Sequence, residues 1–394
     1  MTIVQLDIQG FRSLKNVSWH PGDLNVVIGP NGSGKSNLLR MLELISAAAD
    51  GKLDKLIFGG GGIGQLLWDG QARSIQFSLT TSATGIGTAG AGFVYSTELE
   101  APFDQNFYRV SHEVLTDTND GFQFFERDIS RYSVTGRNND NLDEFTSNDL
   151  DDYETLFSSF SGGLRMLPWM VLTGLPFYRR QIANWAIYQD IRTDQASLIR
   201  QAPVSRLEEH VAPDGQNLIN VLHTLYTGDR KFKQDINDAM YAAFGDDFDE
   251  LIFPPAADQR IQMRVRWKTL KREQSTADLS DGTLRFLLLI TVLASPNPPP
   301  LIAIDEPETG LHPSMLPIIA EFASEAATRT QVIFTTHSDQ FLNAFRDTRL
   351  TVTVAKWENG ETTLKTIDDA VLGKWLQEYT LGSLFRSGEL EEIE

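Results

Sequence analysis

Apolar and polar positions repeat with two different periods along this chain, and the change of period separates strands from helices. Val4, Leu6 and Ile8 fall on one face of an alternating segment, which predicts a half-buried strand. A second short strand is predicted at residues 24–28, and residues 35–48 follow it with apolar side chains at helical spacing. The chain therefore begins with a strand, a glycine-rich loop and a helix.

Several short β-type segments follow this helix, and turn residues separate them at hairpin-like intervals. That spacing predicts an antiparallel sheet. From about residue 153 to residue 244 the periodicity becomes mostly helical, with prolines as breaks, so we interpret this stretch as an insertion. The predicted strands of the sheet include residues 74–79, 92–99, 107–115 and 121–126.

Beyond about residue 251 the pattern returns to strands. Apolar runs at residues 301–304 and 331–335 are typical of buried strands, and a helix is predicted between them. Asn359-Gly360 lies between two β-type runs and predicts a terminal hairpin. The predicted fold class is α/β. Its predicted segments are residues 1–70 and 247–394 as two halves of one core, residues 71–152 as an antiparallel β-lobe and residues 153–246 as a helical insertion.

Composition limits the class of protein. The chain has 394 residues, 41% of them hydrophobic, which is enough for one large core or two lobes. It contains no cysteine, so disulfides and thiolate metal sites are excluded. Asp7 interrupts the first apolar run, and the longest apolar stretch, residues 286–294, is too short to span a bilayer. We therefore expect a soluble cytoplasmic protein.

The formal net charge of −19 would repel nucleic acid if it were evenly spread. Many acidic residues lie in two runs, residues 140–154 and 389–394, which fit solvated segments or a partner-binding tail. One strand-like segment is basic on one face, and that face is either a DNA contact or a solvated amphipathic edge. Its basic residues are Arg260, Arg264, Arg266 and Lys268.

The segment Gly29-Pro-Asn-Gly-Ser-Gly-Lys-Ser36 has the spacing of a phosphate-binding loop. Its glycines let backbone N–H groups face a phosphate, and the helix that follows adds the positive end of its dipole. Lys35 can reach the β- and γ-phosphates of a nucleotide, and the Ser36 hydroxyl can ligate Mg²⁺. The predicted order of strand, loop and helix is the context that this chemistry requires.

Two later strands end in ionisable side chains. The run at residues 301–304 ends in Asp305 and Glu306, where a central parallel strand delivers acids to the ligand-binding edge of a sheet. Asp305 would hold Mg²⁺, directly or through water, and Glu306 would polarise the attacking water, although an isolated Asp-Glu pair can also be a turn or a helix cap. His337 ends the next strand and is either a γ-phosphate sensor or a structural hydrogen-bonding residue.

The segment Leu279-Ser-Asp-Gly-Thr283 precedes a predicted helix and has two interpretations. Ser280, Asp281 and Thr283 could be N-cap residues. Alternatively, the Ser280 hydroxyl, glycine backbone N–H groups and the helix N-terminus form a second anion site. Two phosphate-directed loops in one chain suggest two subunits with nucleotide between them.

In their order, these motifs resemble those of the ATP-binding-cassette (ABC) ATPases, specifically the soluble RecF- and SMC-like branch with its bacterial AAA-family ATPases. Residues 29–36 match the Walker A motif, residues 279–283 the signature motif and residues 301–306 the Walker B motif, while His337 is similar to the switch histidine. Other segments that look like this group are residues 6–14, 306–313 and 381–389.

The resemblance implies an ABC-type P-loop nucleotide-binding core with an antiparallel β-subdomain and a helical insertion. It implies ATP and Mg²⁺ as cofactors, with Ser36 and Asp305 on the metal. Catalytic roles are implied for Lys35, Glu306, as the hydrolytic carboxylate, and His337. Nucleotide contacts are implied for Arg12, Asn31, Gly32, Ser33, Gly34, Lys35, Ser36 and Asn37.

By the same resemblance, Ser280 and Gly282 would contact the γ-phosphate bound to the opposite subunit of an ATP-dependent homodimer. Two departures from the family pattern matter. Asp281 stands where transporters usually carry glycine, which suits the soluble branch. The Q-loop glutamine has no match: Gln65 is too near the first helix, and residues 154–159, the candidate Q-loop region, contain no glutamine.

The resemblance predicts an ATP-hydrolysing switch that dimerises around two Mg-ATP molecules and acts on DNA or a partner effector, in DNA repair or phage defence. The unmatched glutamine favours an alternative, a weakly hydrolysing ATP-gated scaffold that regulates a separate nuclease or toxin. A transporter motor is disfavoured, because no membrane segment is predicted and the insertions are large.

Overall fold

The computed structural model describes residues 1–82, 92–102, 107–129, 131–134, 143–146, 151–159, 175–345 and 348–392. The strands are β1 Ile3–Phe11, β2 Leu14–Trp19, β3 Leu24–Ile28, β4 Ser74–Thr81, β5 Phe93–Glu100, β6 Arg109–Asp117, β7 Gln123–Asp128, β8 Arg131–Val134, β9 Asp143–Thr146, β10 Ala186–Tyr188, β11 Phe248–Ile252, β12 Pro255–Ala256, β13 Arg260–Ile261, β14 Arg264–Trp267, β15 Gln274–Ser275, β16 Leu301–Asp305, β17 Gln331–Thr336, β18 Thr351–Glu358 and β19 Glu361–Thr366. The helices are α1 Lys35–Asp50, α2 Leu53–Gly59, α3 Leu156–Ser159, α4 Leu175–Ala183, α5 Leu218–Gly228, α6 Arg230–Phe244, α7 Asp281–Leu293, α8 Leu316–Ala326, α9 Asp339–Leu342, α10 Asp369–Trp375, α11 Leu381–Ser387 and α12 Glu389–Glu392.

The chain divides into two compact units, each discontinuous in sequence. Unit 1 consists of Met1–Gly22, Val27–Trp185 and Thr351–Ile367. Unit 2 consists of Asp23–Val26, Ala186–Leu350 and Asp368–Glu394. Because these units are defined by packing alone, the division into four functional segments stays a prediction.

An antiparallel sheet of eight strands dominates unit 1, in the order β2-β1-β4-β5-β6-β7-β8-β9. Every second residue of β4 and β5 is buried, as expected when an antiparallel sheet packs on one face. The predicted antiparallel sheet is therefore confirmed. The sheet also includes β1 and β2, which lie within residues 1–70, the segment predicted to be the first half of the core.

The prediction for the first strand is wrong at Val4. The Val4 side chain is 45% exposed, whereas Ile3, Leu6 and Ile8 are buried. The pairing of β1 with β4 shifts register between Ile3 and Gln5. An irregularity of this kind changes the phase of the alternation, so Ile3 and Leu6, three residues apart, share the buried face.

Helix α1 forms as predicted behind the glycine loop. Its buried residues include Leu38 and Leu42, and it ends at Gly51, whose left-handed backbone (φ 69°) closes the last turn. Helix α4 packs on α1 in unit 1, and the Arg179 guanidinium donates to the Ala49 carbonyl at 2.9 Å. The C-terminal end of α1 is thereby held within unit 1.

Strands β18 and β19 form the predicted terminal hairpin. Asn359 (φ 52°) and Gly360 (φ 85°) occupy its turn, and both have the left-handed backbone of a type I′ turn. Trp19 of β2 donates from its indole nitrogen to the Thr353 hydroxyl at 3.0 Å. The hairpin is therefore attached to the first hairpin of the chain.

Unit 2 contains the parallel strands β10, β16 and β17. All of β17 and four of the five residues of β16 are buried, which fits a parallel sheet covered on both faces. Val332 of β17 donates its N–H to the Asp23 carbonyl at 2.8 Å and accepts from the Asn25 side chain at 3.1 Å. Strand β10 lies in the stretch predicted as helical, because three residues are too short for a strand period to appear.

Helices α5 to α8 pack in the same unit, and α7 is buried from Phe286 to Leu293. Near the end of the chain, α11 packs on α9: the Gly382 N–H donates to the Asn343 side chain at 3.0 Å, and Arg386 pairs with Asp339. Among the helices in the described part of the chain, none has both the length and the apolar character needed to cross a lipid bilayer.

Candidate nucleotide-binding site

The phosphate-binding loop lies in unit 1 between β3 and α1. Gly34 is the N-cap residue of α1 and has a left-handed backbone (φ 97°). A Cβ at this position would lie 2.1 Å from Thr362 Oγ1 and 2.7 Å from Ser13 Oγ. Both the backbone angle and the available space therefore require glycine here.

The charged end of Lys35 lies over the loop. Lys35 is buried, and its Nζ donates to the Gly29 carbonyl at 2.7 Å and to the Pro30 carbonyl at 3.0 Å. Ser36 is half-buried in the same first turn of α1, where the helix dipole has its positive end. The predicted contacts Asn31 and Gly32 are exposed at the tip of the loop. The loop therefore presents a cation and a helix N-terminus on one side.

Ser13 connects the loop to the turn between β1 and β2. Asn37 donates from its side-chain nitrogen to Ser13 Oγ at 2.7 Å. Thr362 Oγ1 donates to the Ser33 carbonyl at 2.9 Å and lies 2.7 Å from Ser13 Oγ. Strand β19, the first turn of α1 and the β1–β2 turn are thus joined by one polar network, in which the Asn37 amide is already engaged.

Arg12 precedes Ser13 and has a left-handed backbone (φ 46°). Burial lowers the pKa of its guanidinium, and Arg40 lowers it further, while Glu43 opposes both. Its Nε is buried and has no hydrogen-bond partner among the described residues. A guanidinium with an unused donor beside another cation is suited to an anion.

In unit 2 the carboxyl ends of β16 and β17 bring the predicted acids and the histidine together. Asp305 lies opposite Thr335, whose hydroxyl donates to Asp305 Oδ1. The first residues after β16 and β17 are also in contact, because Glu306 Oε1 lies 2.9 Å from His337 Nδ1. The structure therefore places these side chains at one sheet edge, and their chemical roles stay predictions.

Glu306 is fixed through its backbone. It has a left-handed conformation (φ 44°), which is uncommon outside glycine and frequent at functional sites. Its N–H donates to the Thr335 carbonyl at 3.0 Å, and its own carbonyl accepts from Arg285 at 3.0 Å. The side chain remains 37% exposed, so the carboxylate is held in place and still accessible.

Arg285 and Glu308 lie beside Glu306 and His337, and neither was assigned a role from the sequence. Burial lowers the pKa of Arg285, against the attraction of Glu308, Glu306 and Asp305. Burial also raises the pKa of Glu308, which accepts from the Thr336 hydroxyl. Arg285 is the one charged residue within the apolar run 284–294, and this was the signal that could have found it.

The predicted signature segment starts α7. Ser280 is its N-cap, with Oγ accepting from the Thr283 N–H at 3.1 Å, so the capping interpretation is confirmed for Ser280, whereas Asp281 and Thr283 lie within the helix. A Cβ on Gly282 would lie 2.5 Å from the Gly310 carbonyl, because the loop after β16 approaches this turn closely. A capping hydroxyl at a helix N-terminus also leaves other N–H groups for an anion.

The candidate Q-loop region joins the antiparallel sheet to α1 in unit 1. The buried Glu113 carboxylate of β6 accepts from the Leu156 N–H at 2.6 Å and from the Phe157 N–H at 2.9 Å. The Thr155 hydroxyl donates to the Ala48 carbonyl of α1 at 2.6 Å. The backbone of this region is therefore bound by the buried Glu113 carboxylate of β6, and its assignment as the Q-loop stays a prediction.

Two of the four side chains on the basic strand face, Arg264 and Arg266, are paired with carboxylates. Arg266 of β14 contacts Glu250 at 2.5 Å and Glu273 at 3.0 Å, and Arg264 contacts Glu273 at 3.5 Å. The Arg260 guanidinium donates to the Ala202 carbonyl. The structure therefore favours the amphipathic-edge interpretation over a DNA contact. Within the acidic run 140–154, residues 140–142 and 147–150 lie outside the described residues.

Solved structures that are similar to this chain include two SMC heads. The SMC head bound to the C-winged helix domain of ScpA has a TM-score of 0.56 at 16% identity, covering 95% of this chain and 100% of that one. The Smc head with an extended coiled coil, bound to the C-terminal domain of ScpA derived from Pyrococcus furiosus, has a TM-score of 0.52 at 13% identity, covering 95% and 98%. At these identities the likeness concerns the fold.

Over 69 residues the chain is 41% identical to the phosphonates import ATP-binding protein PhnC of Bdellovibrio bacteriovorus, which is 17% of this chain and 25% of that protein. The chain thus spans a quarter of the length of this curated relative. Residues 24–343 match the family described as "AAA domain, putative AbiEii toxin, Type IV TA system". The chain belongs to this AAA-domain family, and it has the fold of the ABC-type ATPases of the RecF- and SMC-like branch.

Proposed function

We propose that this chain binds Mg-ATP and hydrolyses it as a switch that closes into a homodimer, with the cytoplasm as its compartment. The observation that carries this proposal is the contact between Glu306 and His337 beside Asp305, at the ends of two parallel strands. Membership of an ATPase family and the SMC-head fold support it.

The phosphates would be held by Lys35 and by the N–H groups of the first turn of α1. Ser36 and Asp305 offer a hydroxyl and a carboxylate, the hard oxygen donors that Mg²⁺ prefers. When bound, the metal would neutralise charge that develops on the phosphates. Arg12, with its unused donor, is proposed to contact the nucleotide as well.

Hydrolysis would depend on Glu306 and His337. An ionised Glu306 can accept a proton from the attacking water and so orient it toward the γ-phosphate. With Nδ1–H donating to Glu306, the imidazole presents Nε2 on its opposite side, where it can report on the phosphate. Ser280 and Gly282 are proposed to meet the γ-phosphate held by the second copy.

The proposed output is an action on DNA or on a partner effector, in repair or defence. Because Arg264 and Arg266 are paired with carboxylates, the basic strand does not support DNA over a protein partner. A second candidate is a weakly hydrolysing scaffold that regulates a nuclease or toxin. It is favoured by the candidate Q-loop region, where Glu113 binds backbone N–H groups and no glutamine is present.

Light scattering and phosphate release test the main proposal. With ATP, the Glu306→Gln protein should form a dimer, because bound nucleotide stabilises the closed form and is not consumed. Wild-type turnover should disappear in Lys35→Ala. A monomeric Glu306→Gln protein together with no Lys35-dependent turnover would refute the proposal, and turnover above about 1 per second would refute the scaffold alternative.

A further inference from the structure

A buried arginine outside all the predicted motifs holds the signature segment. Arg200 ends a short 3-10 helix in unit 2, and its side chain is 4% exposed. One terminal nitrogen donates to the carbonyls of Leu279 at 2.7 Å, Ala277 at 3.2 Å and Thr276 at 3.3 Å. Nε donates to the Thr193 carbonyl at 2.8 Å. Most of its contacts are therefore with the loop that leads into Ser280.

The other terminal nitrogen of Arg200 pairs with the Asp281 carboxylate. Asp281 is the first residue of α7, directly after the N-cap Ser280, and its side chain is 65% exposed. The Thr276 hydroxyl donates back to the Arg200 carbonyl at 3.1 Å, so the contact is reciprocal. One guanidinium thus binds the backbone before Ser280 and the side chain after it.

A buried guanidinium is costly unless its donors find acceptors, and here the acceptors are carbonyls of the signature loop. Because the guanidinium is planar and rigid, carbonyls that share it have little freedom relative to one another. The loop and the start of α7 are consequently fixed together. The Ser280 hydroxyl lies between the two fixed points, and Gly282 directly follows the second of them.

We propose that Arg200 is a positioning residue for the signature motif, which presets Ser280 and Gly282 for the γ-phosphate held by a second copy of this chain. This inference rests on the proposed function and deepens it. It also explains Asp281: at a position that is usually glycine in transporters, this chain has the carboxylate that completes the Arg200 contact. Its effect should therefore appear in dimerisation and not in nucleotide binding by the monomer.

The first test compares Arg200→Ala and Arg200→Lys in the Glu306→Gln background. A fluorescent ATP analogue measures binding by the monomer, and light scattering measures ATP-dependent dimerisation. Arg200→Ala should bind nucleotide within about twofold of the parent but need at least about tenfold more protein to dimerise, with Arg200→Lys in between. In the otherwise wild-type protein, kcat should fall while KM changes little.

Arg329→Ala is the matched control. Arg329 also donates to loop carbonyls of unit 2, those of Ser295 at 2.8 Å and Pro296 at 3.4 Å, and it does not contact the signature segment. This variant should bind and dimerise like the parent. If Arg200→Ala fails to fold, Asp281→Asn replaces it, because the exposed Asp281 side chain can lose its charge without emptying the buried site.

A mixing experiment separates positioning from a general structural effect. Arg200→Ala has intact Walker motifs and Lys35→Ala an intact signature segment, so a mixed dimer restores one composite site. The mixture should regain as much turnover as a reference mixture of Ser280→Ala with Lys35→Ala, and more than either of its two components shows alone. Should the reference mixture itself be inactive, the dimerisation assay decides.

The inference is overturned if Arg200→Ala dimerises within twofold of the parent, or if its nucleotide affinity falls in parallel with dimerisation. It is also overturned if the reference mixture regains turnover and the Arg200→Ala mixture does not. A parent protein that fails to dimerise in ATP refutes the proposed function instead, whatever the Arg200 variants do.

Discussion

His337 Nδ1 lies 2.9 Å from Glu306 Oε1 and 4.0 Å from Glu308 Oε1, so one imidazole nitrogen faces two carboxylates. A proton on Nδ1 makes this contact a hydrogen bond to Glu306 and leaves Nε2 on the opposite side of the ring. Glu308 is the more buried of the two acids, and burial raises its pKa. The ring orientation is thus set by the carboxylate proposed to activate water.

Replacing His337 by alanine should lower kcat by about 10²-fold, because a group that senses the phosphate and orients Glu306 is lost. The affinity for ATP should change little. Phosphate release and analogue binding measure the two quantities. His312→Ala is the control, since His312 Nδ1 only caps a short turn by accepting from the Ser314 N–H at 3.3 Å, and this variant should retain turnover within about twofold. Equal effects of both substitutions would contradict the assignment.

Gly34→Ala should lower the free energy of unfolding by about 2–4 kcal/mol, because the new Cβ meets Thr362 and the backbone is left-handed. Gly32→Ala is matched in backbone conformation (φ 82°) and has open space around its Cβ. It should cost only about 1 kcal/mol, the backbone term alone. Urea unfolding distinguishes the two, and indistinguishable values would show that the space around Gly34 is not limiting.

Glu113→Ala should destabilise the protein by about 2–4 kcal/mol, since two buried N–H groups of Leu156 and Phe157 lose their acceptor. Glu113→Gln should cost less, because the amide oxygen can still accept. Glu126→Ala is the control. Glu126 lies on the neighbouring strand of the same sheet and accepts from Gln123 near the surface, so its loss should cost under about 1 kcal/mol. Chemical denaturation checks the order, and a Glu126 effect as large as that of Glu113 would contradict it.

Glu154 should make the protein less stable as the pH rises. Burial raises the pKa of Glu154 to about 7, against a hydrogen bond from the Asp54 N–H that lowers it. A carboxyl that binds its proton more tightly when folded contributes stability below its unfolded pKa and loses it as the pH passes through 7.

Glu154→Gln should therefore match the wild type near pH 4 and be more stable at pH 8, by about 1 kcal/mol after allowance for solvent screening. Thermal unfolding across this range measures the difference. A constant difference at all pH values would count against the proposed titration.

Charge reversal of Arg264 and Arg266 should leave any ATP-dependent DNA binding and its salt dependence unchanged, because both guanidiniums already contact carboxylates. Filter binding over a range of salt concentrations measures this. A decrease of about one in the logarithmic salt slope per reversed charge would instead identify phosphate contacts.

Much of the geometry of the candidate nucleotide site could be predicted because its residues lie at ends of elements that local patterns reveal. Glycine spacing marks the loop before α1, and apolar runs mark the strands that end in Asp305 and His337. Parallel strands bring their carboxyl ends to one edge, so the neighbourhood of Glu306 and His337 follows from strand type.

The residues that were missed act through contacts between distant parts of the chain. Arg200 is 79 residues from Leu279, and Glu113 is 43 residues from Leu156, so no local pattern links them. The irregularity after Ile3 depends on pairing with β4, which local alternation does not show. Hydrophobic period therefore identifies the elements, while buried polar contacts between them require the structure.

The contact between Gly34 and Thr362 also bears on biosynthesis. The Thr362 hydroxyl that accompanies the phosphate loop belongs to a strand translated more than 320 residues later, at a rate of about 5–20 residues per second. A nascent chain can form α1 early, but its loop lacks this support until the hairpin of β18 and β19 has left the ribosome. Nucleotide binding at the proposed site should therefore begin only after the ribosome has translated both strands of this hairpin, which delays the active state relative to the folding of α1.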